Sequence, residues 1–152
     1  MIKNRLVLID AFALIHRAFH GIPPLTTRDG QLVNAVYGFT SAVLSAIKQL
    51  HPEYLACGID LPKPTLRHKE FKDYKAHRPK TPEELVSQIP FVKEILKVLN
   101  IPDFGVEGYE GEDIIATIVA KIRNPNDEIR NKIEAIIVTG DMDVLQLIYY
   151  DV

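Results

Sequence analysis

The chain has 152 residues, enough for one domain with a real hydrophobic core. It is 47% hydrophobic and 25% charged, which excludes wholesale disorder, and its net charge of −2 does not by itself point to a nucleic-acid or membrane partner. No apolar run reaches transmembrane length, the first is too short for a signal-peptide core, and the one cysteine (Cys57, in YLACGI) allows neither an internal disulfide nor a thiol-built zinc site, so a reducing, cytoplasmic setting is expected.

Short β-rich runs alternate with helical patterns along the chain. RLVLID (residues 5–10) reads as a buried strand and ALIHRAF (13–19) as a short helix. GIPPLTTRDGQ is a loop, marked by Pro23, Pro24 and Asp29-Gly30. Val36, Phe39, Val43, Leu44, Ile47 and Leu50 recur at helical spacing, predicting a helix over 35–50 that Pro52 stops; Gly38 within it permits close helix approach. YLACGID (54–60) is a second strand.

Residues 61–80 are irregular or locally helical and strongly basic. Thr81-Pro82-Glu83-Glu84 has the form of a helix start, with a capping Thr and Pro at the first position, and the helix should run to about Asn100. IPDFGVE reads as a short strand and residues 110–123 as the next helix. NPNDEIRN is a polar turn, IEAIIVTGD (133–141) a third clear strand, and 143–148 a short helix. This alternation predicts an α/β domain with a mainly parallel central sheet flanked by helices.

In such sheets ligands bind beyond the carboxyl ends of the strands. The three clear strands run into Asp10, Asp60 and Asp141, and the short one leads into Glu110, Glu112 and Asp113. Acids are 20 of 152 residues, so this coincidence at one edge is hard to ascribe to chance. Glu107, Glu110, Glu112 and Asp113 crowd four carboxylates into GVEGYEGED. A helix N-terminus attracts acids, which accounts for one or two of them. The rest repel one another unless a cation intervenes. Hard divalent ions with oxygen ligands, Mg²⁺ above all, suit such a set, and two of them can serve phosphodiester hydrolysis. Asp141 and Asp143, in TGDMD, read either as two more carboxylates on a concave turn or as a helix cap.

The complement is basic. Lys63, Arg67, Lys69, Lys72, Lys75, Arg78 and Lys80 fall within eighteen residues, with Phe71 and Tyr74 interleaved. Such a run is either a solvated charged loop or a phosphate guide with faces for stacking bases. Its position directly after Asp60 favours the guide. His16 and His20 read as packing or surface residues.

Taken together, LVLIDAFALIHRAFHGIPPLTT, NAVYGFTSAVL, LRHKEFKDYKAHRPKTPEEL, GYEGEDIIAT and VTGDMDVLQL resemble the N-terminal part of the 5′→3′ exonuclease domain of bacterial DNA polymerase I, a flap-endonuclease-type 5′ nuclease with a PIN-like fold. The resemblance implies that Asp10, Asp60, Glu110, Glu112, Asp113, Asp141 and Asp143 occupy metal-binding positions for Mg²⁺ or Mn²⁺, two ions in a complete family member. It implies that Lys75 and Arg78 belong to a basic arch over about 61–80 that contacts the scissile phosphate. Arg67 matches a neighbouring arch position, and Lys72 lies in the same run.

The implied activity is metal-dependent removal of DNA 5′ ends and flaps in primer removal and repair, with Lys75, Arg78 and Asp113 in catalytic roles. The alternative is a truncated, weakly active or inactive nucleic-acid-binding remnant. Ala11 stands where the family shows Gly, and Glu110-Gly111-Glu112-Asp113 where it shows Glu-Ala-Asp-Asp. The whole chain, 1–152, is expected to be one such domain, without the helical DNA-gripping module that follows in the family.

Overall fold

The computed structural model describes residues 4–63, 65–71, 80–123 and 133–148. Four parallel strands, β1 (Asn4–Asp10), β2 (Tyr54–Gly58), β3 (Asp103–Phe104) and β4 (Ile133–Val138), pair in the order β3-β2-β1-β4. The helices are α1 (Ala11–Gly21), α2 (Asn34–Leu50), α3 (Leu66–Glu70), α4 (Glu83–Val86), α5 (Ile89–Val98) and α6 (Gly111–Ile122), followed by a 3-10 helix (Met142–Leu147).

The uninterrupted apolar run of β1 is explained by burial on both faces. Val7 and Ile9 pack with Leu14 and Ile15 of α1, Phe39 and Val43 of α2, and Val92 and Leu96 of α5. Leu8 points the other way, with Ala56, against Ile115 and Val119 of α6. Two helical layers therefore enclose the sheet. The chain moves outward from β1 to β2 to β3, then crosses back through α6 to β4 on the far side of β1. That reversal opens a crevice between the carboxyl ends of β1 and β4, where open parallel sheets bind ligands.

Gly38 does what its sequence context suggests. A Cβ there would lie 2.5 Å from the Ala18 Cβ and 2.6 Å from Ile22 Cδ1, so its absence lets α2 lie against α1.

Several expectations are corrected. The helix expected from Thr81 to about Asn100 is two helices, α4 and α5. Pro90 explains the break: it has no N–H for the Val86 carbonyl four residues back, so α4 cannot run on through it, whereas in the first turn of α5 no such bond is required. The N-cap is Pro82 rather than Thr81, without a side-chain cap. The strands expected at 54–60 and 133–141 end earlier, at Gly58 and Val138, so their acids stand on the following loops.

A buried polar relay joins these helices. The Gln88 side chain is fully buried. Its Oε1 accepts from the Ala35 N–H at 2.9 Å and the Val36 N–H at 3.3 Å, at the start of α2, where Val33 offers no side-chain cap. Its Nε2 donates to Asn34 Oδ1 at 3.1 Å and to the Glu84 carbonyl at 3.0 Å. Asn34 Nδ2 in turn donates to the carbonyls of Phe19 and Ile22 at the end of α1. Helix-end groups that lack intrahelical partners are satisfied from a neighbouring element.

Candidate functional site

Asp10 closes β1 and opens α1. Its Oδ1 accepts from the Ala13 N–H at 3.2 Å, as an N-cap carboxylate does. Its Oδ2 accepts from the Thr139 hydroxyl at 2.8 Å, and the same Thr139 oxygen accepts from the Asp141 N–H at 3.0 Å. Thr139 thus ties the ends of β1 and β4 together across the crevice. Asp141 caps the 3-10 helix, its Oδ1 accepting from the Asp143 N–H at 3.0 Å.

Asp60 lies two residues beyond β2 and accepts through Oδ1 from the Gly111 N–H at the start of α6. Free N–H groups and the positive end of the helix dipole favour an anion there. Glu110 is the N-cap of α6, and its backbone N–H donates to Asp113 Oδ2 at 3.0 Å.

Asp10, Asp60, Glu110, Glu112 and Asp141, borne by four separate stretches of backbone, line one cleft of about 850 Å³. Asp113 and Asp143 do not line it. Asp113 is turned toward Arg67, and Asp143 is exposed on the 3-10 helix.

Arg67, on α3, places its guanidinium among three carboxylates of the α6 start. Nη1 lies 3.2 Å from Glu110 Oε2 and 2.8 Å from Glu112 Oε1, and Nη2 pairs with Asp113 Oδ1. The crowding of acids in GVEGYEGED is thus relieved in part by an internal cation. With that cation in place, no three carboxylate, imidazole or thiol donors among the described residues are gathered as a ready coordination shell. The donor chemistry nevertheless suits a hard divalent ion, since five carboxylates face one cleft with room for hydrated ions.

The cleft also has basic walls, and of these only Lys80 belongs to the basic run predicted as a phosphate guide. His16, Arg17 and His20 line it from α1, and Lys80 and Thr81 from the approach to α4. The His16 and His20 rings stand 4.4 Å apart, one helical turn from each other. The signal was available: Ala13, Arg17 and His20 follow Asp10 at helical spacing, so one face of α1 extends the acid's position. Lys72, Lys75 and Arg78 lie outside the described residues.

Cys57 is buried on β2, and desolvation, with Asp10 and Asp103 adding negative charge, pushes its thiol up to about 12. It is a core residue, neither nucleophile nor ligand.

Acids at a strand-order reversal of a parallel sheet, with basic groups lining the same cleft, define a carboxylate-centred α/β protein. Comparison with known proteins makes this specific: residues 5–152 match the 5′-3′ exonuclease, N-terminal resolvase-like domain, and the chain belongs to that family. It is 39% identical over 143 residues to the 5′-3′ exonuclease of Aquifex aeolicus, covering 94% of this chain and 47% of that one. It is 38% identical over 144 residues to DNA polymerase I of Caldicellulosiruptor bescii, covering 95% of this chain and 16% of that one. The chain therefore spans about half of the exonuclease and a sixth of the polymerase.

Among solved structures, the T5 D15 protein co-crystallised with metal ions superposes with a TM-score of 0.66 at 18% identity, over 96% of this chain and 52% of that one. The T5 D15 flap endonuclease in a pseudo-enzyme–product complex with DNA and metal ions gives 0.63 at 16% identity, over 93% and 50%. These two likenesses establish the shared fold. Among the described residues no helix is long and apolar enough to cross a membrane.

Proposed function

We propose that this chain carries the acidic centre of a divalent-metal-dependent 5′ nuclease that hydrolyses DNA phosphodiester bonds at 5′ ends and flaps, in a cytoplasmic setting. The observation that carries the reading is the single cleft that joins Asp10, Asp60, Glu110, Glu112 and Asp141 to Arg17 and Lys80. Family membership and the relatives' names as 5′-3′ exonuclease and DNA polymerase I support it.

Mg²⁺ or Mn²⁺, as a pair of ions, would be held by these carboxylates, with Asp113 and Asp143 supporting from the neighbouring turns. Bound there, such ions supply an activated water and charge neutralisation at the leaving oxygen. The chain's own residues do the rest. Thr139 holds Asp10 and Asp141 in register, and the Gly111 N–H orients Asp60. Arg17 and Lys80 present positive charge to the phosphate backbone, and Lys72, Lys75 and Arg78 of the basic segment extend that guide as an arch.

The test is cleavage of an end-labelled 5′-flapped duplex with Mg²⁺, wild type against Asp10→Asn. Mg²⁺-dependent release of the flap by wild type, abolished in the variant, is expected. Equal product from both overturns the assignment.

A further inference from the structure

The Arg67 guanidinium engages carboxylate oxygens that belong to the cleft lining. Glu110 and Glu112 both line the cleft and both pair with Arg67, at 3.2 and 2.8 Å. Asp113, the third partner, does not line the cleft. The carboxylates therefore divide into two that the cleft and Arg67 share and one that Arg67 holds outside it.

We infer that Arg67 is an internal counter-cation that competes with the metal: ion loading takes Glu110 and Glu112 from the guanidinium, which pivots while still paired with Asp113. This inference rests on the metal-centre reading above.

The physical reasons are these. Three carboxylates at one helix start repel one another strongly in a half-buried setting, so a chain without metal needs a cation there. Arg serves because its planar fork engages several carboxylate oxygens at once. A divalent ion offers twice the charge at shorter range and wins the shared oxygens, while Asp113 stays fixed to the α6 start by its bond from the Glu110 N–H. α3 is anchored next to the latch by the Leu66 N–H donating to the Gly108 carbonyl at 2.8 Å. That bond holds the start of α3 in place while the Arg67 side chain pivots. Linkage makes the competition reciprocal: whatever holds Arg67 in place weakens metal affinity, and metal weakens the hold on Arg67.

The experiment is calorimetric titration of the metal-free 152-residue protein with Mn²⁺. Wild type, Arg67→Gln, Arg67→Lys and each of these combined with Asp10→Asn are compared. The inference predicts that Arg67→Gln binds Mn²⁺ about tenfold more tightly than wild type, with Arg67→Lys between them. It also predicts that Arg67→Gln melts at a lower temperature without metal and recovers when Mn²⁺ is added.

Equal or weaker Mn²⁺ binding by Arg67→Gln, with Asp10→Asn still reducing affinity, overturns the latch and leaves the metal centre standing. Mn²⁺ binding that ignores Asp10→Asn overturns the centre and the latch together. Should Arg67→Gln fail to fold, nitrogen-resolved NMR of wild-type arginine guanidinium groups during Mg²⁺ titration decides the matter. The Arg67 signal should shift in step with saturation, and an unmoved signal overturns the proposal.

Discussion

A Cβ placed on Gly58 would sit 2.6 Å from the carbonyl oxygen of Gly111, and one on Gly111 would meet the Gly58 backbone at 3.1 Å. The end of β2 and the start of α6 touch backbone to backbone. That contact brings the Gly111 N–H to Asp60 and sets one carboxylate of the cleft. Gly58→Ala must push against an immovable carbonyl, and overpacking of this kind costs about 1–3 kcal/mol. Gly111→Ala needs a shift of only a few tenths of an ångström, so its cost should be smaller. Urea denaturation of the two variants measures the difference, and a larger loss for Gly111→Ala would refute this account of the contact.

At Gly38 two effects oppose each other. Alanine is better than glycine in a helix by about 1 kcal/mol. Its Cβ, however, would lie 2.5 Å from the Ala18 Cβ in a packed helix pair, a clash of about 1–3 kcal/mol. The clash should win, so Gly38→Ala lowers the melting temperature. A melting temperature equal to wild type or above it would show that α1 and α2 can separate without cost.

Gln88→Ala removes an acceptor from the Ala35 and Val36 N–H groups and a donor from Asn34 and Glu84. Each buried group left unsatisfied costs about 1–3 kcal/mol, so a loss of at least 2 kcal/mol, roughly, is expected. Gln88→Leu, which fills the volume but restores no bond, should be nearly as damaging. Denaturation midpoints of the two variants separate lost hydrogen bonds from lost packing.

The thiol of Cys57 is held neutral by burial, its folded pKa raised to about 12. A group raised on folding contributes its full stability below its unfolded pKa of about 9 and loses it as pH rises toward the folded value. Stability should therefore fall between about pH 9 and pH 12 with a component absent from Cys57→Ala. Melting temperatures of both proteins across that window test the sign. A thiol reagent at pH 8 should leave the native chain unlabelled and label it fully in denaturant.

Asp141 and Asp143 are two residues apart, yet only Asp141 lines the cleft. Asp141→Asn keeps an oxygen to accept the Asp143 N–H, so the cap persists while the charge is lost. Metal affinity measured by calorimetry should drop about tenfold or more for Asp141→Asn and distinctly less for Asp143→Asn. Equal losses would mean that the two carboxylates act alike.

Much of the architecture was legible because burial leaves a periodic trace. LVLI has no alternation since both faces of β1 are covered, and the helical stripe from Val36 to Leu50 follows one buried face of α2. The delivery of Asp10, Asp60 and Asp141 to one edge followed from parallel pairing, because every parallel strand ends on the same side. Pro90 marks the break between α4 and α5 in the sequence, whereas the capping signature of Thr81 to Glu84 points to one continuous helix. The basic wall on α1 was overlooked because His16 and His20 carry no metal-ligand spacing of their own. Their role depends on the cleft in front of them.

Residue order by itself determined which segments become strands and helices and that acids gather at the strand ends, because backbone preference and apolar periodicity are local properties. Only the tertiary structure decided that β4 returns to the far side of β1, that Gln88 caps a helix more than fifty residues away, and that Arg67 rather than a neighbouring lysine settles among Glu110, Glu112 and Asp113. Those choices depend on distances between groups remote in the chain, and the electrostatic energy of a guanidinium among carboxylates is set by such distances and by the water excluded around them.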